Sequence, residues 1–517
     1  MTSQTEPETP TSGEDWGPFG RPLFLDESAR ALSRVGVVDV GSNSVRMVVF
    51  DGAARSPAYF YNEKILCGLG AGLGETGHLN PEGKRRAMAA LKRFQKLAEG
   101  MGIPPLTAVA TAAMREASDG PAFREEILRE TGLPLWVIDG EEEARLSAQG
   151  VLLGWPEADG LICDIGGSSM ELAELHAGHV GKRVTSPLGP LKLQDIKGGR
   201  KGLKTHIKPI IDGLADTMGT DNKRIFLVGG SWRAIARIDM ERRGYPLHVL
   251  HEYRISRKSL SATLKFIRAS NMDELRAKTG TSAARMALVP LAAEVLGQLV
   301  TTFKPKEICI SSYGIREGLL YEQMPARARA RDPLIESCRF AEMKDARNPG
   351  FGKKLFAFIS PIFKSASEDQ KRLVKAACLL HDVTWRAHPD YRAEVCFDNA
   401  TRANLGGLDH EERIFLGLAL LHRYKNSRDG TPFESLIALL DPTAIKRAEV
   451  LGKAMRFGAM FACDDPEAMA NIQLFPKKKV LRLVLSAEAR DLFGEVTLAR
   501  FNSLANALSV TPEIIQR

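Results

Sequence analysis

The chain has 517 residues, which is too many for a single hydrophobic core, so three or four domains are expected. Hydrophobic residues make up 44% of it and charged residues 26%, as is typical of a soluble globular protein. No apolar stretch is expected to be long enough to cross a membrane. The formal net charge of +8 and the pI near 9.0 favour an anionic partner through long-range attraction.

Residues 1–33 are expected to form a disordered tail. The first twenty are acidic and rich in proline and threonine, and they lack the apolar core of a signal peptide. The protein is therefore expected to remain in the cytoplasm. The seven cysteines are scattered and never form a C-x-x-C pair, so they are expected to be reduced core residues. They are Cys67, Cys163, Cys309, Cys338, Cys378, Cys396 and Cys463.

Residues 34–147 predict a first α/β lobe. A helix is predicted over 81–100, because Met88, Leu91, Phe94 and Leu97 follow helical spacing. This helix alternates with short apolar runs that indicate strands. The runs lie near Gly36, Met47, Ile65, Thr107 and Leu135.

Two segments, 35–51 and 160–175, share one pattern. In each, an apolar run ends on an aspartate, glycine and small polar residues turn the chain, and a second apolar run follows. Glycine lets the backbone approach an anion, and serine and asparagine add donors, so each turn predicts a phosphate loop. Two copies predict two facing lobes that hold one phosphate chain. The first loop is Gly41, Ser42, Asn43 and Ser44, followed by Arg46, and the second is Gly166, Gly167, Ser168 and Ser169.

Asp39 and Asp164 directly precede the two loops. A carboxylate repels phosphate unless a cation lies between them, so both residues suggest a bound divalent cation such as Mg²⁺. Either aspartate could instead cap its turn.

Residues 148–325 predict a second α/β lobe, with helices over 203–218, 283–302 and 315–323. Its strands are expected near Ile162, Leu172, Val184, Phe226 and Ile308. Beyond a charged linker at 326–331, helical periodicity predicts a helical domain over 326–445. A small α+β domain is expected over 446–517, with weak strand patterns at 480–486 and 495–499.

Five motifs occur in the order found in the exopolyphosphatase and guanosine pentaphosphate phosphatase family. They are AVATAAMREA (108–117), DGEEEARL (139–146), DIGGSSME (164–171), IFLVGGSWRAI (225–235) and ISSYGIREGLLYE (310–322). Residues 35–324 therefore resemble this family of the actin-like ATPase superfamily, and most resemble a bacterial exopolyphosphatase. Two positions depart from its pattern. Ser168 stands where a third glycine is usual, and Trp232 stands where a small residue is commoner.

The resemblance implies two actin-like (ribonuclease H-like) lobes, a mainly helical HD-like carboxyl-terminal region, a divalent cation and a homodimer. It also implies that Glu143 is the catalytic base, that Glu171 lies at the active site and that Arg115 contacts substrate phosphates. Taken alone, Glu141, Glu142 and Glu143 could simply be first-turn acids that favour a helix dipole. Glu171 shares a strand face with Ser169, and the arginine fork suits bidentate phosphate binding.

His381 and Asp382 resemble the centre of an HD phosphohydrolase domain. Such a domain needs an upstream histidine, and none occurs between His251 and His381. We therefore expect a packing element rather than a second metal site. The turn formed by Gly229, Gly230 and Ser231, which binds adenine-side groups in superfamily kinases, is expected here to be structural or to line the cleft.

These patterns predict an exopolyphosphatase that hydrolyses terminal phosphates of inorganic polyphosphate processively. A guanosine pentaphosphate 5′-phosphatase would share the same centre, with Trp232 as a candidate for stacking on guanosine. A transferase that passes phosphate from polyphosphate to ADP is a further alternative. Nucleic acid is not expected as a partner, because the basic clusters lack interleaved aromatic residues. The candidate clusters for a polyanion track are Lys197, Arg200, Lys201, Lys204, Arg423, Lys425, Lys477, Lys478 and Lys479.

Overall fold

The structure, a computed structural model, describes residues 29–103, 105–462 and 464–516. Most of the predicted tail and Cys463 lie outside these residues. The first strand begins at Ala31, inside the span predicted as a tail. The other six cysteines are free and buried, as predicted.

The first lobe is an α/β unit. Its elements are β1 (Ala31–Val40), β2 (Ser44–Ala53), β3 (Ser56–Leu66), α1 (Leu73–Thr76), α2 (Pro81–Gly100), β4 (Thr107–Ala110), α3 (Ala112–Glu116), α4 (Gly120–Thr131), β5 (Leu135–Val137) and α5 (Gly140–Gly154). The sheet order is β3-β2-β1-β4-β5. Strands β1 to β3 form an antiparallel meander, and β4 and β5 continue the sheet in parallel.

The second lobe repeats this plan. Its elements are β6 (Gly160–Ile165), β7 (Met170–His176), β8 (His179–Ser186), α6 (Pro190–Leu193), α7 (Gly199–Met218), β9 (Arg224–Val228), α8 (Gly230–Arg243), β10 (Tyr253–Ser256), α9 (Arg257–Ala269), α10 (Met272–Thr279), α11 (Ala283–Met286), α12 (Val289–Phe303), β11 (Glu307–Ile310) and α13 (Ile315–Glu322). The sheet order is β10-β11-β9-β6-β7-β8. A meander of β6 to β8 is again followed by parallel strands, β9 and β11.

The carboxyl-terminal region is mainly helical. Its elements are α14 (Ala326–Arg329), α15 (Pro333–Asp345), α16 (Phe351–Ile359), α17 (Glu368–Leu380), α18 (Arg392–Arg402), α19 (His410–Tyr424), α20 (Glu434–Ile437), α21 (Pro442–Phe461), α22 (Pro466–Met469), β12 (Ala470–Phe475), β13 (Val480–Leu485), α23 (Glu495–Leu508) and β14 (Thr511–Gln516). A three-stranded sheet, β12-β13-β14, shares one hydrophobic core with the helices.

Helices α5 and α13 join the two lobes through very close packing at glycines. A Cβ atom at Gly318 would lie 1.8 Å from the Leu146 carbonyl oxygen, and one at Gly150 would lie 2.0 Å from the Gly314 carbonyl oxygen. Side chains at these positions would force the helices apart. The contact fixes the start of α13 against the helix that carries Glu143.

Some predicted elements differ from the structure. The strand predicted at 495–499 is wrong, because α23 begins at Glu495 and buries Phe501, Leu504 and Ala505 at helical spacing. The linker predicted at 326–331 contains the short helix α14. The helix predicted at 283–302 is broken into α11 and α12. The predicted domain boundaries after residues 147 and 445 fall inside the helices α5 and α21, respectively.

The expectation that no apolar stretch is long enough to cross a membrane is wrong by the criteria of length and composition. Among the described residues, the segment Ala283–Phe303 is long and apolar enough to cross a membrane, with a mean hydropathy of 1.5. More than half of its most apolar window, 56%, is buried in the fold. Val295, Leu296 and Leu299 lie in the core of the second lobe, which is the environment of a core helix.

Candidate active site

The two predicted phosphate loops have the same backbone turn. In the first, the Gly41 amide donates to the Ser44 carbonyl oxygen over 3.0 Å. In the second, the Gly166 amide donates to the Ser169 carbonyl oxygen over 3.0 Å. Each turn joins the first two strands of its lobe, so the pattern repeated in the sequence is also repeated in the fold.

The strand register places four charged residues at equivalent positions beside the loops. Asp39 pairs with Arg46 across β1 and β2, and Asp164 pairs with Glu171 across β6 and β7. The first loop is therefore flanked by a carboxylate and a guanidinium, whereas the second is flanked by two carboxylates. This asymmetry concentrates acidic groups on the side of the second lobe.

Both loops line one cleft of about 550 Å³. A Cβ atom at Gly167 would lie 3.4 Å from Ser42 Cβ, so the loops are in close contact. Eleven of the residues predicted for catalysis, phosphate binding or metal binding line the cleft. They are Asp39, Gly41, Ser42, Asn43, Ser44, Arg46, Glu143, Asp164, Gly166, Gly167 and Ser169.

Three predicted site residues are not among the residues that line the cleft. Ser168 is 3% exposed and Glu171 is 1% exposed, and neither lines the cleft. Arg115 donates from Nη1 to the Ile138 carbonyl oxygen over 2.6 Å and lies 3.5 Å from Glu143 Oε2. Arg115 is thus held against the predicted base rather than directed at the cleft.

Glu143 is the carboxylate at which the lobes meet. It lies in the first turn of α5, whose amino terminus is capped by Asp139, and it is 8% exposed although it lines the cleft. Burial and the nearby charges of Glu171 and Asp164 raise the pKa of Glu143 well above its usual value, against the lowering effect of Arg115. Within the described residues, Glu143 Oε2 is buried and accepts no hydrogen bond. A carboxylate in this state readily takes up a proton.

Three further carboxyl groups surround this position. Burial raises the pKa of Glu171 to about 8, opposed by hydrogen bonds from Ser169 and from Thr185, whose Oγ1 donates over 3.1 Å. Burial also raises the pKa of Asp164, which accepts a hydrogen bond from Ser147, and of Asp39. Four carboxyl groups with raised pKa values therefore lie in or next to the cleft.

Five basic residues of the cleft were missed by the sequence analysis. Arg233 and Arg316 lie inside two of the quoted motifs, and Lys64 pairs with Arg46 across β2 and β3. A search for basic residues within those motifs would have found the first two. Arg237 follows Arg233 by one turn of α8, and Arg285 is brought in by tertiary structure. The five are Lys64, Arg233, Arg237, Arg285 and Arg316.

The basic side of the cleft is electrostatically unfavourable without an anion. Burial and neighbouring arginines lower the pKa of Arg46 and of Arg233 to about 10. Lys64 is exposed, yet desolvation by the cleft and the charges of Arg285 and Arg46 lower its pKa to about 8. Polyanion binding would relieve this repulsion, so the cleft is suited to several phosphates at once.

Arg316 connects the two sides of the cleft. Its Nη1 lies 3.3 Å from Asp39 Oδ2, and its side chain is 11% exposed. It belongs to α13, so the contact ties the first loop to the last helix of the second lobe. Among the described residues, no partner accepts from its buried Nε.

The turn at Gly229 and Gly230 was predicted either to be structural or to line the cleft, and it lines the cleft. Gly229 has φ +114°, and a Cβ atom at Gly230 would lie 1.9 Å from Arg285 Nη1. The guanidinium group therefore packs directly on the turn. Trp232 is fully buried in the core of the second lobe, so the suggestion that it stacks on guanosine is wrong.

Oxygen ligands for a hard divalent cation are present in the cleft. Asp39 and Asp164 line it with Glu143, and Glu171 lies directly behind. The buried Oε2 atoms of both glutamates lack hydrogen-bond partners among the described residues. Among the residues that the structure describes, no group of three or more metal-ligating side chains is close enough to form a complete protein site. This donor set fits Mg²⁺, which is usually held by one or two carboxylates together with water and substrate phosphates.

Comparison with known proteins agrees with this geometry. Residues 48–327, more than half of the chain, match the Ppx/GppA phosphatase family. The chain belongs to that family. Residues 342–514 match the exopolyphosphatase carboxyl-terminal domain. The predicted class of enzyme, a phosphoric anhydride hydrolase, is therefore confirmed at the level of the Ppx/GppA family.

Two curated proteins illustrate the range of relatives of this Ppx/GppA chain. Guanosine-5′-triphosphate,3′-diphosphate pyrophosphatase of Vibrio parahaemolyticus is 25% identical over 427 residues, covering 78% of this chain and 82% of its own. Retrograde regulation protein 2 of Saccharomyces cerevisiae is 23% identical over 449 residues, covering 77% of this chain and 74% of its own.

Solved structures of Ppx/GppA proteins have the same fold. An exopolyphosphatase from Cytophaga hutchinsonii aligns with a TM-score of 0.53 at 24% identity, covering 56% of this chain and 98% of that one. A Ppx/GppA family member from Aquifex aeolicus aligns with a TM-score of 0.50 at 22% identity, covering 56% of this chain and 97% of that one. The predicted fold class is confirmed as two actin-like α/β lobes followed by a mainly helical carboxyl-terminal region.

The His381-Asp382 pair of this Ppx/GppA protein is held by protein groups. His381 is buried, its Nδ1 lies 2.8 Å from the Cys378 carbonyl oxygen, and burial lowers its pKa to about 4. Arg347 donates to Asp382 Oδ2 from Nε over 2.9 Å and to Oδ1 from Nη2 over 2.5 Å. Burial would raise the pKa of Asp382, but these bonds lower it. The contacts support the predicted packing role.

The candidate track residues are dispersed over the molecule. Lys197 and Lys201 are exposed near the amino terminus of α7, as are Arg200 and Lys204. Arg423 is 7% exposed, so its prediction as a surface contact is wrong, and Lys425 is half-buried. The exposed lysines 477–479 lie in the short turn between β12 and β13.

Proposed function

We propose that this Ppx/GppA phosphatase is an exopolyphosphatase that releases terminal phosphates from inorganic polyphosphate processively. The observation that carries the proposal is the composition of the cleft. Among the described residues that line it, six are basic and none is aromatic, and two phosphate loops meet there. A chain of phosphates needs positive charge along its length but no stacking surface.

Glu143 is suited to act as the general base. In phosphoryl transfer, a water molecule attacks phosphorus in line with the leaving oxygen, and a positioned base accepts its proton. Glu143 lines the same cleft as the loops, and burial favours its protonated form after transfer. Arg115, 3.5 Å from Glu143 Oε2, would orient this carboxylate and balance its charge before the proton is taken up.

The loop amides and the basic side chains would stabilise charge that develops on the phosphate oxygens. Arg46, Arg233 and Arg316 each present a guanidinium group to the cleft. Asp39 and Asp164 would hold the divalent cation, with Glu143 and Glu171 close by. When bound, such a cation neutralises phosphate charge and favours the ionised form of nearby carboxyl groups.

A guanosine pentaphosphate 5′-phosphatase is the second candidate. The observation in its favour is the similarity to the pyrophosphatase of Vibrio parahaemolyticus over 78% of this chain. The absence of aromatic side chains among the described lining residues and the burial of Trp232 favour polyphosphate instead. Phosphate transfer to ADP, a homodimeric state and a cytoplasmic location stay predictions.

Orthophosphate release tests the proposal when long polyphosphate, tripolyphosphate and guanosine pentaphosphate are compared at equal concentrations of terminal phosphate. We expect the highest kcat/KM with long polyphosphate, and loss of the activity in excess EDTA. ADP in a parallel reaction would reveal transfer as newly formed ATP. A higher kcat/KM for guanosine pentaphosphate would select the second candidate.

A further inference from the structure

A second basic cavity lies on the second lobe, outside the catalytic cleft. It has a volume of about 670 Å³ and is formed by α7, α9 and α12. We name it the α9 groove. Seven of its described lining residues are basic, Glu294 is its single carboxylate, and none is aromatic.

Five of these basic residues have no ion-pair partner within the described part of the chain. All five are exposed. Three lie on α9, where Lys258 and Lys265 share one helix face with Arg268. Lys265 and Arg268, three residues apart, are like charges at neighbouring positions on the helix surface, and the basic residues in its first turn oppose the helix dipole. The five are Lys204, Arg257, Lys258, Lys265 and Lys304.

The remaining two cations are oriented by a buried acid. Glu294 is 8% exposed, and its Oε1 accepts from Arg200 Nε over 3.0 Å and from Arg268 Nε over 2.8 Å. Within the described residues, the Nη groups of both arginines make no hydrogen bond. Two guanidinium groups are thus fixed at one edge with their terminal donors free, an arrangement suited to bidentate contact with phosphate.

The groove is separated from the catalytic cleft along α12. Leu288, the residue before α12, lines the cleft, whereas Glu294 and Lys304 line the groove. With a rise of about 1.5 Å per residue, the groove extends roughly 9 to 24 Å from the cleft along this helix. A neighbouring cavity continues the basic surface through Lys258 to Arg242 and Lys306. Only an extended ligand could reach both sites.

We propose that the α9 groove is an exosite for long inorganic polyphosphate, which it holds while the chain end lies in the catalytic cleft. This inference rests on the proposed function for its ligand. The absence of aromatic side chains among the described lining residues favours a phosphate chain over nucleic acid, whose bases need stacking partners. The exosite raises the affinity for long chains and leaves the chemistry at Glu143 unchanged.

The test uses the full chain with Lys258→Glu and Lys265→Glu combined. The matched control is Lys96→Glu with Arg124→Glu, which makes the same charge change at exposed residues of the first lobe. We expect KM for long polyphosphate to rise about tenfold or more in the groove variant, through loss of phosphate contacts. KM for tripolyphosphate and kcat should stay at wild-type values. The salt dependence of long-chain binding should also become shallower.

Direct binding separates this inference from the proposed function. Long polyphosphate is titrated against both variants and the wild type without divalent cation, so that no turnover is needed. Weaker binding in the groove variant alone supports the exosite, even if the wild type proves not to hydrolyse polyphosphate. Equal binding by all three proteins overturns it, as does an equal rise in KM for tripolyphosphate. Tighter binding of single-stranded RNA than of polyphosphate in the groove would also overturn it.

Discussion

Arg316 shows how one side chain serves both the assembly of the site and substrate binding. It is held 3.3 Å from Asp39, and its guanidinium group lines the cleft. Arg316→Gln should lower kcat/KM for polyphosphate by roughly 10- to 100-fold, because a hydrogen bond to a charged group is worth about 1.5–3 kcal/mol. The control is Arg327→Gln, an exposed arginine of α14 that should keep wild-type kinetics. Equal kinetics in both variants would exclude Arg316 from substrate binding.

At the scale of single residues, the sequence predicted the loops far better than the basic wall of the cleft. Glycine, serine and asparagine after an aspartate constrain a turn locally, so Gly41 and Gly166 could be found from the pattern. Lys64 enters the cleft from β3, and Arg285 enters it from the distant helix α11. No local pattern distinguishes them from surface residues, and Arg115 faces Glu143 for the same tertiary reason.

The contact between α5 and α13 is the element that holds the site together. Gly318→Ala should destabilise the protein by at least about 2 kcal/mol, because its Cβ atom would lie 1.8 Å from the Leu146 carbonyl oxygen. The matched substitution is Gly213→Ala in α7, where a Cβ atom meets nothing within 4 Å. It should stabilise the protein by about 0.5–1 kcal/mol. Denaturant unfolding of both variants measures the difference, and similar midpoints would contradict the packing argument.

Elements with strong local signals were predicted well. Helix α2 occupies 81–100 as predicted, since Asn80 caps it, Pro81 begins it and its apolar residues keep one period. The segment at Glu495 was predicted as a strand because Val496 and Thr497 favour strands, but packing of Phe501 against the core overrides that preference. The apolar period at 283–302 hid the break before Val289, although Pro290, which favours the first turn of a helix, marks it in the sequence.

At the scale of the whole molecule, buried histidines connect the second lobe to the helical region. His410 Nε2 lies 3.2 Å from the His251 carbonyl oxygen, and Tyr245 contacts His410 Nδ1 over 2.9 Å. Burial lowers the pKa of His410 to about 4. Because the unfolded chain takes up a proton near its usual pKa of about 6.5, His410 costs stability as pH falls below that value, by about 2 kcal/mol at pH 5.

His410→Gln should therefore make the loss of stability between pH 6.5 and 4.5 shallower. The comparison with wild type isolates His410, since buried carboxyl groups with raised pKa values, such as Glu171, act in the opposite direction. Chemical unfolding at several pH values measures the slope. An identical slope in the His410 variant and wild type would show that His410 is protonated equally in both states.

Glu143, which is buried and lines the same cleft as the two loops, is the proposed base that activates the attacking water. The most direct measurement is the turnover of long polyphosphate by Glu143→Gln beside Glu141→Gln, an exposed acid of the same helix turn. We expect the Glu143 variant to lose about 10²- to 10⁴-fold in kcat. It should stay folded and still bind polyphosphate, because it removes a buried carboxylate that Glu171 and Asp164 repel. The Glu141 variant should keep wild-type kcat. Wild-type kcat in Glu143→Gln would contradict the account and assign the base to another residue.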